Sequence, residues 1–185
     1  MKASLDCEIC ILAGGLSARM KRDKARLRLG RHTLLGHVCN TARQLGLPVR
    51  LIRRDLVPRC GPLGGIYTAF RTYRADAQLF LACDMPFASA EWLEQLRAYF
   101  EVHRKAVFTS VQGCAGFPFL LPRESLAVVR KQMARREFSL QKLARALRAG
   151  RLRPLPKRLG EFCNVNTPEE WAAARRRWRK WSSAS

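Results

Sequence analysis

Apolar residues in the first half of the chain come in short bursts that alternate with helical spacings. Glu8 to Leu12 predicts a strand that runs into Ala13-Gly14-Gly15. Thr33 is the expected N-cap of a helix reaching about Gln44, which Gly46 and Pro48 close. Val49 to Ile52 predicts a short strand, and Gly61-Pro62-Leu63-Gly64-Gly65 a turn opening onto a helix from Ile66 to Tyr73. Gln78 to Cys83 predicts a strand stopping at Asp84-Met85-Pro86, after which Ser89 caps an amphipathic helix carrying Trp92, Leu93, Leu96 and Phe100.

Ala106 to Val111 and Phe117 to Leu121 predict two further strands, the second bounded by Pro118 and Pro122. Helices are expected at about Glu124 to Met133 and Ser139 to Ala149. An extended segment from Leu152 to Pro156 then leads to Phe162-Cys163-Asn164-Val165-Asn166. Thr167-Pro168 starts a last helix through Trp171, Trp178 and Trp181, with Pro at its first helical position. Strands alternating with helices predict an α/β, Rossmann-like domain of three layers with a mostly parallel sheet. Ligands of such sheets bind beyond the carboxyl ends of strands. Four loops are expected there: Gly-Gly, Gly-Pro-Leu-Gly-Gly, Cys-Asp-Met-Pro and Asn-Val-Asn.

The 185 residues, 48% of them apolar, fit one domain with a full core. The apolar run from Cys10 to Leu16 is far short of the ~20 residues of a membrane span, and the first residues lack a signal-peptide layout. A soluble, cytoplasmic protein is expected. Seven cysteines favour reduced thiols over a disulfide framework. Cys7 and Cys10 form a C-x-x-C without a second pair or a nearby His, so a strand role outweighs metal binding. The net charge of +21 changes the picture by suggesting an anionic partner. From Arg123 onward 17 basic residues stand against 5 acidic ones, yet the excess runs through the whole chain and leaves no isolated basic tail. No aromatic-flanked RNA motif or zinc finger accompanies it, which argues against nucleic acid as the partner.

The stretch from Leu12 to Lys24 carries the most chemistry. Adjacent Gly14 and Gly15 after a strand let backbone N–H groups approach a phosphate, and Arg19 and Lys24 add full positive charge. A plain strand-to-loop turn with solvated cations is the alternative. Asp84 at a strand end suits a metal, or else caps the helix that begins after Ser89.

Leu12, Ala13, Gly14, Gly15, Ser17, Arg19, Met20, Asp23, Lys24 and Ala25 fit a pattern LAGG-x-S-x-RMG-x-DKA. GPLGG at 61–65, Asp84-Met85-Pro86 and NVNTPEE at 164–170 follow in order. In these four motifs the chain resembles the MobA-type nucleotidyltransferases, the molybdenum cofactor guanylyltransferases. The resemblance implies a single domain over residues 1–185, with a nucleotide half at about 7–88 and an acceptor half at about 105–181. It implies transfer of GMP from GTP to molybdopterin with Mg²⁺ as cofactor. The implied catalytic residues are Lys24, Arg19 and Asp84, with Asp84 holding the metal. Leu12, Ala13, Gly14, Gly15, Lys24, Asp55 and Asp84 would bind the nucleotide. Asn164, Asn166, Arg135 and Arg136 would face the acceptor. A molybdoenzyme or another cofactor-assembly protein is the implied further partner.

Three positions depart from the family pattern. Lys21 replaces the Gly after Arg-Met, and Phe117 stands where His or Gln usually precedes Pro118. The interval from Leu45 to Gly61 is short by a strand, which removes part of the expected guanine wall unless Val49 to Arg53 takes the edge. Two rival readings stay open: transfer to another phosphorylated acceptor, and a non-catalytic pterin or nucleotide chaperone.

Overall fold

The computed structural model describes residues 6–14 and 27–182. Its central sheet has six strands in the order β4-β1-β5-β7-β6-β8: β1 Cys7–Leu12, β4 Val49–Ile52, β5 Ala77–Ala82, β6 Val107–Val111, β7 Cys114–Pro122 and β8 Gly150–Leu152. Every strand but β7 runs in one direction, because β7 pairs antiparallel with both β5 and β6 while the other pairings are parallel. The mostly parallel α/β sheet is therefore as expected, with one reversed strand that the apolar pattern does not reveal. A two-residue hairpin, β2 Arg28–Leu29 and β3 His32–Thr33, stands apart from the sheet and has no periodicity to announce it.

Among the described residues α1 Leu34–Arg43, α2 Pro62–Thr72, α3 Ala90–His103, α4 Ser125–Ala134 and α5 Leu140–Ala146 cover the sheet, and α6 Pro168–Ser182 packs on the β2–β3 hairpin. The alternation along each strand sorts side chains into two cores, which makes three layers. Cys10, Phe80, Phe108 and Phe119 pack with α2, α4 and α5, whereas Ile9, Leu79, Leu81, Val107 and Leu120 pack with α1 and α3. Each such large apolar side chain contributes about 1.5–3 kcal/mol by leaving water. Cys7 and Cys10 fall in opposite cores, so these two buried thiols of β1 cannot grip one metal ion.

The caps read from the sequence are in place. The Thr33 hydroxyl accepts from the Gly36 N–H at 2.9 Å and Ser89 from Trp92 at 3.3 Å. Thr167 and Glu170 form a reciprocal capping box at α6: Glu170 N–H donates to Thr167 Oγ1 at 3.2 Å, and Thr167 N–H to Glu170 Oε2 at 3.0 Å.

Four boundaries differ from expectation. Helix α2 starts at Pro62 rather than Ile66, because Pro at its first turn is compatible with helix and Gly61 takes a φ of 53° ahead of it. Strand β7 begins at Cys114 and runs through Pro118. It tolerates the proline because its pairing with β6 shifts register between Phe108 and Thr109, and the Thr109 hydroxyl donates to the Pro118 carbonyl at 2.6 Å. Helix α5 stops at Ala146, short of Ala149. A 3-10 helix at Pro156–Phe162 follows the extended segment, so Asn164-Val165-Asn166 comes after a helical turn and not after a strand. Among the described residues no helix is long and apolar enough to cross a membrane.

Candidate active site

Strand β1 lies between β4 and β5, which the chain reaches through α1 on one face and α2 on the other, so a crevice opens at the carboxyl end of β1. Leu12 is in register with Ile52 and with Ala82, and the next residues of all three strands therefore emerge at one level. Ala13 N–H donates to the Ile52 carbonyl at 2.8 Å and Cys83 N–H to the Leu12 carbonyl at 3.1 Å, extending both ladders by one step. A β-carbon on Gly14 would stand 2.8 Å from the Arg53 carbonyl oxygen, so only glycine lets the chain leave β1 this close to β4. The exit from β4 carries Arg53 and Arg54, both exposed, onto that level. Strand β4 is the edge of the sheet and pairs with β1, as expected if Val49 to Arg53 takes the edge in the shortened interval.

The first turn of α2 closes the crevice from one face. Gly65 presses on Leu12, and Gly64 lies against Asp55, whose Oδ2 would be 2.7 Å from an added β-carbon. The chain after β4 is tied there as well: Leu56 N–H donates to Thr68 Oγ1 at 2.8 Å, and that hydroxyl donates to the Gly64 carbonyl at 2.8 Å. Asp55 is thus held beside a helix N-terminus, where unpaired N–H groups favour anions. Burial pushes its carboxyl above the ordinary carboxylate range. Arg53, Arg54 and Arg59, its neighbours in the chain, form no ion pair with Asp55 among the described residues. Thr68 carries no motif, and its only sequence signal is its place one turn after Gly64.

Asp84 follows β5 and is half-buried, with Oδ1 shut off from solvent. Its main-chain carbonyl accepts the Val165 N–H at 2.9 Å, which brings the Asn-Val-Asn turn onto the same strand end. Val165 is fully buried in a third, small core with Leu29, Leu34 and Ala174, and Phe87, Trp171 and Trp178 pack against it. Asn164 is exposed and lines a cavity of about 580 Å³ with Phe87, Val165 and the α6 residues Arg176 and Arg177. Asn166 donates its backbone N–H to Glu170 Oε2 at 2.5 Å, so the turn also shapes the start of α6.

Arg135 and Arg136 are exposed at the end of α4, away from Asn164 in the chain, and Arg136 adopts a φ of 56°. The loop they begin leads to Phe138, whose β-carbon is 3.7 Å from the position of a β-carbon on Gly61, so it approaches the start of α2. Phe138 carries no sequence signal for that approach. Gly15, Arg19, Lys21 and Lys24 lie outside the described residues, together with Ser17, Met20, Asp23 and Ala25.

The chain matches the MobA-like NTP transferase domain over residues 9–153. It is 32% identical over 189 aligned positions to a protein of Opitutus terrae named as a probable molybdenum cofactor guanylyltransferase, covering 90% of this chain and 94% of that one. A Xanthomonas euvesicatoria protein named as a molybdenum cofactor guanylyltransferase is 32% identical over 175 positions, covering 88% and 90%. The crystal structure of molybdopterin-guanine dinucleotide biosynthesis protein A from Archaeoglobus fulgidus superposes with a TM-score of 0.73 at 18% identity, over 94% of this chain and 99% of that one. That likeness concerns the fold. The match over most of the chain and the identity to both relatives together place the chain in the MobA-like NTP transferase family, as a nucleotidyltransferase.

Proposed function

We propose that the protein transfers GMP from GTP to the phosphate of molybdopterin, in the cytoplasm, as a step of molybdenum cofactor assembly. One observation carries the reading: the exits of β1, β4 and β5 share one level, and the Asn-Val-Asn turn is hydrogen-bonded to Asp84 at that level. The relatives named as guanylyltransferases support guanine as the base and the molybdenum cofactor as the acceptor.

In this transfer an oxygen of the acceptor phosphate forms a bond to the α-phosphorus of GTP. The bond from that phosphorus to the bridging oxygen of the β-phosphate breaks, and pyrophosphate leaves with the electron pair. No protein nucleophile is needed, so the chain's work is positioning and charge stabilisation. Leu12, Ala13, Gly14 and Gly15 bring backbone close to the phosphates, Lys24 and Arg19 supply cations, and Asp55 faces the nucleoside. Asn164 and Asn166 offer amides to the mixed donor and acceptor edge of the pterin, with Arg135 and Arg136 towards the acceptor phosphate.

Asp84 fits a Mg²⁺ ion, which typically takes one or two carboxylates and completes its shell with phosphate oxygens and water. Its half-buried carboxylate at the strand end is such a donor. Mg²⁺, when bound, neutralises phosphate charge and orients the leaving group. The receiver of the product is a molybdoenzyme or another cofactor-assembly protein, and nucleic acid has no part in the reaction.

Calorimetry with GTP, CTP, ATP and GDP, with and without Mg²⁺ and at two salt concentrations, tests the reading alongside a GMP-transfer assay. GTP binding that needs Mg²⁺, survives the higher salt and leads to transfer is the expected result. Weak binding to every nucleotide that vanishes with salt, with no transfer, would overturn it.

A further inference from the structure

The 3-10 helix at Pro156–Phe162 has no fully buried residue of its own, yet it leads directly into the Asn-Val-Asn turn. Arg158 attaches it to the rest of the molecule. Its side chain is only 13% exposed, and it spends its donors on two elements. Within the 3-10 helix Nε donates to Glu161 Oε1 at 2.7 Å and Nη2 to Glu161 Oε2 at 3.2 Å, a two-pronged grip on one carboxylate. Across to the start of α3, Nη1 donates to Glu91 Oε1 at 2.7 Å and Nη2 to Ser89 Oγ at 2.8 Å. Ser89 Oγ in turn donates to Glu161 Oε2 at 2.5 Å.

The same guanidinium lies 5.6 Å from the ring centre of Trp92, and Phe162 meets that ring edge-on at 5.1 Å. Trp92 is itself fixed, because its Nε1 donates to Thr109 Oγ1 at 2.8 Å. Ser89 stands five residues after Asp84 in the chain, and Phe162 three before Val165. Arg158 therefore joins the segment leaving Asp84 to the segment entering the turn that donates to Asp84. A paired, mostly buried arginine is a weak source of stability, since well-packed apolar side chains of its size do as well, but it does fix geometry.

We propose that Arg158 is a positioning residue: it sets the Asn164–Asn166 turn against the Asp84 strand end and so governs affinity for the acceptor, leaving nucleotide binding alone. The functional half rests on the reading of that turn as the acceptor side.

Two measurements on the full chain separate the parts. In Arg158→Gln the Val165 amide is expected to lose hydrogen-exchange protection by about tenfold or more, while the β1 and β5 amides of Ile9 and Leu79 keep theirs. In the transfer assay the same variant is expected to raise KM for molybdopterin about tenfold, with kcat and the KM for GTP within about twofold of wild type. Arg158→Lys, which keeps the charge without the fork, is expected to fall between. Should Arg158→Gln fail to fold, Ser89→Ala removes two bonds of the same cluster, those to Arg158 and Glu161, and is expected to move both readouts in the same direction. Unchanged Val165 protection, or equal loss at Ile9 and Leu79, overturns the positioning role. Lost protection with an unchanged molybdopterin KM overturns its link to the acceptor. A wild-type protein that makes no transfer refutes the proposed function instead, and the exchange result still decides whether Arg158 holds the turn.

Discussion

Val165 donates its main-chain N–H to the carbonyl oxygen of Asp84 at 2.9 Å, while its side chain is buried with Leu29, Leu34 and Ala174. One residue thus joins the end of β5, the hairpin that precedes α1, and the first turns of α6. The bond uses the main-chain carbonyl of Asp84 and not its carboxylate.

Asp84→Asn keeps that backbone bond and should damage the reaction. The amide keeps the size of the carboxylate but loses the charge that a metal-bound triphosphate requires. Turnover is expected to drop about a hundredfold, the usual scale for losing one electrostatic stabiliser. Its thermal transition should stay close to that of wild type. Near-wild-type GMP transfer by a folded Asn variant would remove Asp84 from the metal site.

Gly14→Ala tests the close exit from β1. The new β-carbon would meet the Arg53 carbonyl oxygen at 2.8 Å, and backbone cannot swing aside as a long side chain can. A loss of about 1–3 kcal/mol in denaturant melts is expected, along with weaker nucleotide binding. Gly116→Ala is the control, since nothing lies within 4 Å of its β-carbon position. A neutral Gly14→Ala would mean that β1 and β4 part more easily than their ladder implies.

Much of this was legible in the sequence for physical reasons. Strands β1 and β5 announce themselves as apolar runs because both faces of each are buried, and Thr33 and Ser89 are legible as caps because their hydroxyls replace missing helix bonds. The reversal of β7 was not legible, since local pattern carries no strand direction. The start of α2 was hidden because Gly-Pro-Leu-Gly-Gly resembles a turn until Asp55, Leu56 and Thr68 pack on it. Motif order places Asp84 and the Asn-Val-Asn turn along the chain, but their meeting runs through a backbone bond that no local pattern announces. Arg158 does not stand out among 27 arginines because its role comes from partners at the start of α3, far away in sequence.

Asp55 gives a prediction with a definite sign. Burial raises its folded-state pKa, so the folded protein holds that proton to higher pH than the unfolded chain does. Its favourable contribution is therefore complete below the ordinary carboxylate range and is lost as pH rises through the raised value. At neutral pH Asp55→Asn should unfold at a slightly higher temperature than wild type, and the gap should close towards pH 3, where both side chains are neutral. Nucleotide affinity should fall in the same variant if the carboxylate serves the nucleoside. A variant less stable than wild type at pH 7 would show that the charged form is favoured in place.

The cysteines should separate sharply by reactivity. Burial pushes the Cys7 thiol up to about 12 and raises Cys10 as well, and the two face opposite cores from one strand. Cys114 and Cys163 are exposed. At pH 8 the thiolate fraction of Cys7 is on the order of a thousandfold below that of an ordinary thiol. Iodoacetamide is thus expected to label Cys114 and Cys163 first, as read by peptide mass spectrometry. Cys7, Cys10 and buried Cys60 should react only as fast as the protein unfolds, and denaturant should release them together. Early paired labelling of Cys7 and Cys10, or stoichiometric zinc that protects both, would require β1 to leave the sheet. That would contradict its pairing with β5 along its whole length and with β4 from Ile9 to Leu12.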